Sequence, residues 1–242
     1  PNNFEVEMEH KLLLKQAVDL LINKAGEDEK LTRLFVNFIQ NKTADDKSWL
    51  IEKDFYTIAE ELLKESGQEH CENLKDLSLD GFFKLRKEVE SFTNKIDYEL
   101  STIGQRFLSD CKNNGLKADW FAGGARSGLP KYFEFLSSKN WEKYKPSDSN
   151  LKNIEKGNWY AGKTPKEVYS QIDEVQEKFY PLVKKVIEIL EEYPKYVHLK
   201  LIAHNLYSVA VLHEISKEVQ QIKEQNNIVP IGEFNKKIAE VL

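Results

Sequence analysis

Apolar side chains recur at steps of three and four along most of the chain, the spacing of one face of an α-helix. Leu12, Leu13, Ala17, Leu20 and Leu21 share such a face, and Ala25-Gly26 supplies a stop. Leu31, Leu34, Phe35, Phe38 and Ile39 form the next stripe, ended by the polar run from Asn41 to Lys47. A third helix, capped by Asp54 or a neighbour, is predicted through Phe55, Ile58, Ala59, Leu62 and Leu63 to Gly67.

A longer stripe runs from Leu79 to about Cys111 through Phe82, Leu85, Val89, Phe92, Ile96, Leu100, Ile103 and Phe107. It predicts a long, coiled-coil-like helix. Its partner is Val168, Ile172, Val175, Phe179, Leu182, Val186, Ile189 and Leu190, with Pro181 expected to kink the helix or sit at its surface. The two are predicted to pack antiparallel as an arm. Between them, residues 113–165 hold Asn113-Asn114-Gly115, Gly123-Gly124, Gly128-Leu129-Pro130, Pro146, Gly157, Gly162 and Pro165, and read as a loop-rich tip. A last long helix spans about Tyr196 to Gln225, and a short one follows from about Gly232. The expected fold is all-α: long antiparallel helices with an irregular basic tip, a bundle with an arm. Its parts are a base over 1–77, the arm over 78–195 and returning helices over 196–242.

Composition agrees with this. Apolar residues are 40% and charged residues 31% of 242, and the 7 prolines and 11 glycines cluster instead of recurring at the intervals of an all-β chain. No apolar run approaches the ~20 residues of a membrane span. The start at Pro1-Asn2-Asn3-Phe4, without a charged and apolar leader, and the stop after Ile238-Ala239-Glu240-Val241-Leu242 suggest a segment excised from a larger cytoplasmic protein. Cys71 and Cys111 read as ordinary reduced thiols.

Charge changes the picture. Residues 1–103 hold 14 basic and 22 acidic side chains, residues 104–166 hold 12 and 6, and residues 167–242 hold 9 and 12. A cationic middle therefore opposes a net charge of −5. In it Arg126, Lys131, Lys139, Lys143 and Lys145 lie among Trp120, Phe121, Tyr132, Phe133, Trp141 and Tyr144. Cations neutralise phosphates and exposed rings stack on unpaired bases, so the cations with Trp120 and Trp141 form a candidate DNA-binding set. The competing reading makes the rings a small core and the lysines a solvated surface.

One stretch, Gly157-Asn158-Trp159-Tyr160-Ala161-Gly162-Lys163-Thr164, matches the phosphate-loop expression G-x-x-x-x-G-K-[ST]. That chemistry needs an apolar strand before the loop, and Ser149 to Lys156 is polar and charged. Gly157, Gly162, Lys163 and Thr164 are thus read as a surface turn, with nucleotide binding as the alternative. Gly123 to Gly128 continues into Leu129-Pro130, where lysine and a hydroxyl residue should stand, and fails the same expression. His70-Cys71 point to different faces of a helix, and His198, His204 and His213 share no tight spacing, so no metal site is expected. No catalytic constellation is expected either.

Two phrases carry a family resemblance. Pro1-Asn2-Asn3-Phe4-Glu5-Val6-Glu7 resembles the "-PNF-x-(V/I)-" phrase with which UvrD-like superfamily 1 helicases, above all their AddA-like members, open an inserted domain. Asn226-Asn227-Ile228-Val229-Pro230-Ile231-Gly232-Glu233-Phe234-Asn235-Lys236 resembles the family's "-DF-x-DL-" phrase ahead of its Walker B acids, though no role passes to Glu233. Gly123 to Phe133 is similar to a "-SGLP-x-x-F-" tip of AddA-like proteins of the Bacteroidetes type. The resemblance implies an inserted 1B-type helical domain that contacts duplex or junction DNA beside the remaining helicase motor, in DNA repair or recombination. The ATP-binding lysine would precede Pro1, the Walker B acids would follow Leu242, and ATP and Mg would belong to the parent alone. A helical protein–protein interaction module, docking through the aromatic tip, is the alternative.

Overall fold

The computed structural model describes residues 5–7, 10–43, 50–226 and 228–230. The chain is all-α apart from two strands of three residues. Its elements are β1 (Glu5–Glu7), α1 (His10–Asn23), α2 (Glu29–Thr43), α3 (Ile51–Ala59), α4 (Glu65–Asn73), α5 (Leu79–Asn113), α6 (Gly124–Ser127), α7 (Leu129–Ser137), α8 (Asp148–Glu155), α9 (Tyr169–Ile189), α10 (Tyr193–Asn226) and β2 (Ile228–Pro230). Short 3-10 turns join several of them. Two compact units result. One comprises Pro1–Lys87 with Ile202–Leu242, the other Glu88–Leu201. Both divisions fall inside the long helices α5 and α10, not in the loops from which the base and arm were drawn.

In the first unit, α1 and α2 bury Leu13, Leu14, Ala17, Leu21, Leu34 and Phe35 against Phe55 of α3 and Leu206, Ala210, Val211 and Ile215 of α10. The stripe predicted for α1 is displaced by part of a turn: Leu12 and Leu20 are exposed, and Leu14 and Val18 are buried in their place. Phe55 is fully buried, with the rings of Phe35 and Phe38 edge-on at 4.9 and 5.3 Å. The third helix differs from its prediction. It ends at Ala59, passes through a 3-10 turn over Glu60–Leu63, and gives way to α4, which contains Gly67. Gly67 is no stop: a Cβ there would lie 2.0 Å from the Glu61 carbonyl oxygen, so only glycine lets the two segments approach. Nor does Asp54 cap α3. Leu50 holds the cap position, and Asp54 lies in the first turn, where a carboxylate favours the helix dipole. β1 and β2 pair in parallel, with Val6 opposite Val229. They are too short for any periodic signal. The short helix expected from Gly232, and the residues 1–4 and 231–236 of the two family phrases, lie outside the described residues.

In the second unit, α5 and α9 run antiparallel. Lys178 pairs with Asp110 and, about two turns further along α9, Lys185 Nζ lies 3.1 Å from Glu99. Phe107 is the centre of the core, stacked on Phe133 at 3.9 Å and edge-on to Phe121 and Phe179. At Gly104 a Cβ would meet Ser137 N at 2.5 Å and the Phe133 carbonyl at 2.7 Å, so the absent side chain sets how closely α7 lies on α5. Pro181 sits inside α9 on its exposed side. The segment 113–165 is not the irregular loop that was expected. Its glycines and prolines separate short helices, α6 to α8 and two 3-10 turns, that pack on an aromatic core shared with α5 and α9.

Candidate nucleic-acid interface

The rings of the cationic segment turn inward. Phe121, Phe133, Tyr144 and Trp159 are fully buried and Tyr132 nearly so. Tyr144 is the anchor: its hydroxyl donates to Asp97 Oδ1 at 2.8 Å, and its carbonyl accepts from Tyr132 at 2.9 Å. Asp97, 5% exposed on α5, also accepts from Tyr196 at 2.5 Å and from Lys200 at 2.6 Å. Burial, and then the Asp97 carboxylate, hold the Tyr144 and Tyr196 phenols well above their ordinary range. A buried carboxylate with three donors is satisfied, and loss of any partner leaves a polar group stranded. The sequence reading missed Asp97. Its signal was the polar row Thr93, Asp97 and Ser101, spaced by four residues along an otherwise apolar stripe, and all three are buried.

Trp120 and Trp141, the two rings assigned to DNA, are half-buried. Lys117 Nζ lies over Trp120 at 5.4 Å, and Lys131 Nζ lies over Phe135 at 5.3 Å, so the chain's own ammonium groups rest on these partly open faces. The Trp141 carbonyl accepts from Tyr193 at 2.9 Å.

The cations divide into two groups. Lys131 pairs with Glu134 at 2.6 Å. Arg126 on α6, Lys139 after α7, Lys143 in a 3-10 turn and Lys145 beyond it are exposed and form no ion pair among the described residues. The arrangement therefore leaves side-chain ammonium and guanidinium groups free to meet phosphate, while the rings that could stack on bases are buried or half-buried.

The phosphate-loop look-alike is a turn stitched to the neighbouring segment. The N–H groups of Gly157, Asn158, Ala161 and Thr164 donate to the carbonyls of Ile154, Asn153, Trp120 and Ala161 at 2.8–3.1 Å. Trp159 is buried, and Thr164 donates its hydroxyl to the Trp120 carbonyl at 2.6 Å. A helix, α8, precedes the segment where a strand would be needed. Lys163 is exposed, 3.7 Å from Asp119. Nearby, Tyr160 stacks on Tyr169 at 4.3 Å and donates to Asp173, and burial followed by that carboxylate pushes its phenol up to about 12.

Elsewhere, His70 is exposed while Cys71 is buried. Among the described residues no three His, Cys, Asp or Glu side chains come together as a metal site. Burial pushes the Cys111 thiol up to about 12 and raises that of Cys71. His213 is buried against the Phe82 ring at 5.6 Å, and burial lowers its pKa, helped by Lys217. No described helix is long and apolar enough to cross a membrane.

No protein-family model, curated protein or solved structure matches the chain.

Proposed function

We propose that this chain is a DNA-contacting accessory domain of a cytoplasmic, ATP-dependent helicase of the UvrD-like, AddA-like kind, non-catalytic in isolation. The observation that carries the reading is the exposed, unpaired set Arg126, Lys139, Lys143 and Lys145 on a chain whose net charge is −5. Pairing of β1 with β2 supports it further, because it sets Glu5–Glu7 of one helicase-like phrase beside Ile228–Pro230 of the other, as insertion into one host domain requires. ATP and Mg act in the parent, and the remaining motor is the second partner. The test is a titration of the chain into labelled forked DNA by fluorescence anisotropy. Binding that weakens steeply as salt rises, as counterion release demands, is the expected result. No binding at low salt would overturn it.

A helical protein-docking module is the second reading, and one observation favours it. Leu12 and Leu20, two turns apart on α1, are 48% and 46% exposed. Such a module would dock through the first unit and not, as the sequence suggested, through the tip, whose rings are buried or half-buried.

A further inference from the structure

We infer that the corner from Lys139 to Lys145 is a preformed contact for neighbouring phosphates of a nucleic-acid backbone, with Lys139 as its leading cation. The inference rests on the DNA reading above and narrows it to one element.

Backbone geometry comes first. Among the described residues, Lys139 is the non-glycine residue with positive φ, at 55°. It follows α7, where Lys139 N donates to Leu136 O at 3.1 Å and Asn140 N to Phe135 O at 2.9 Å. That bonding closes the helix with a left-handed residue, a place where glycine is usual because a Cβ is disfavoured there. Lysine stands in that conformation although glycine would hold it with less strain.

Rigidity comes second. Trp141 N bonds back to Lys139 O at 2.9 Å, and Lys143 N to Asn140 O at 2.9 Å. The corner is then pinned on both sides of Lys143, by the Tyr193 hydroxyl on the Trp141 carbonyl and by the buried Tyr144 on Asp97. Lys139, Lys143 and Lys145 project from it, all exposed and without an ion pair among the described residues. Glu142 is the one acid within the corner. Lys131, Lys163, Lys178, Lys185 and Lys200 of the same unit each have a carboxylate partner. Lys117, Lys152, Lys156 and Lys166 are exposed without an ion pair among the described residues as well, so it is the pinned backbone that sets the corner apart. A fixed frame for three free ammonium groups suits closely spaced phosphates. Trp141 is half-buried and Tyr144 fully buried, so the exposed ammonium groups carry the contact, to backbone and not to bases.

A purely structural role is separable. Lysine at a helix C-terminus favours the dipole, and if that explained Lys139, glycine would weaken the fold. If the cation serves a ligand, Lys139→Gly relieves the backbone, and the midpoint of thermal unfolding stays level or rises, by up to about 4 °C. The experiment measures binding of the 242-residue chain to a labelled duplex across a salt series, with Lys139→Gly, Lys139→Arg and the Lys143→Ala/Lys145→Ala pair. Inorganic polyphosphate and phosphatidylserine vesicles serve as other anionic probes. Expected are tight binding by the parent chain, near-parent binding by Lys139→Arg, and weaker binding by Lys139→Gly. Its log–log salt slope should be shallower by about 1, the loss of one phosphate contact. Lys139→Gly binding as tightly as the parent would overturn the corner while leaving the DNA reading intact. A parent chain that binds no duplex overturns both, and binding to polyphosphate or vesicles alone would reassign the corner to another anion.

Discussion

The two units bury different kinds of side chain. In the first, α1, α2 and α10 pack leucines, valines and isoleucines around a few phenylalanines. In the second, α5, α7 and α9 enclose Phe107, Phe121, Phe133, Phe179, Trp159, Tyr144 and Tyr196. Aromatic cores of this kind fill volume with few residues and bring polar handles with them. The second unit therefore needs Asp97 inside to receive two phenols and an ammonium. The exposed cations of residues 104–166 lie on its exterior, and that is where the local cationic excess of the sequence comes to matter.

The largest expected effect lies at this difference. Asp97→Ala strands Lys200 and both phenols and should destabilise the chain by about 3–5 kcal/mol, as loss of one member of a buried ion pair does. Urea unfolding followed by tryptophan fluorescence checks it, and a change below about 1 kcal/mol would mean the network is solvated. In the first unit, Phe55→Ala should cost about 3–5 kcal/mol through a cavity instead, with no stranded polar group. The two mechanisms separate on repair: Phe55→Leu should recover most of the loss, whereas Asp97→Leu should not.

Gly104→Ala is smaller, about 1–3 kcal/mol, because the new methyl group meets the backbone of α7 and forces it away from α5. Circular dichroism melts would show it, and an unchanged melting temperature would mean the helices part freely. Acid should act on the first unit through His213. Its pKa in the folded chain lies below the ordinary 6.5, so the unfolded chain binds the proton more readily. The stability from its neutral form is present above 6.5 and is lost as pH falls through the folded value. His213→Phe should flatten the stability profile below pH 6.5, and a slope the same as the parent's would exclude this histidine as its source. The smallest effect is at Lys163. Its ion pair with Asp119 is exposed, and Lys163→Ala should change stability by less than about 0.5 kcal/mol.

Helical periodicity made most of the fold legible. The stripe from Leu79 to Cys111 became α5 over Leu79–Asn113, and that from Tyr196 to Gln225 became α10 over Tyr193–Asn226, because apolar steps of three and four sustained over many turns admit few other structures. The segment 113–165 was misread for a physical reason. Glycine and proline mark breaks, but they do not say whether the pieces between them are loops or single helical turns. Gly67 misled in the same way, since a glycine needed for close approach looks like one that ends a helix. For the candidate site, the cations were legible as charges. Their freedom was not: pairing of Lys131 with Glu134 and the left-handed backbone of Lys139 arise only when the chain folds.

A charge-matched comparison tests the central claim most directly. Lys139, Lys143 and Lys145 become alanine in one variant, and Lys11, Lys15 and Lys53, exposed in the first unit, become alanine in the other. Both lose the same charge, and both are titrated into forked DNA by anisotropy at low and physiological salt. Binding should collapse in the first variant and persist in the second. Equal weakening in both would mean that net charge, and not the folded corner, attracts the DNA, and would contradict that claim.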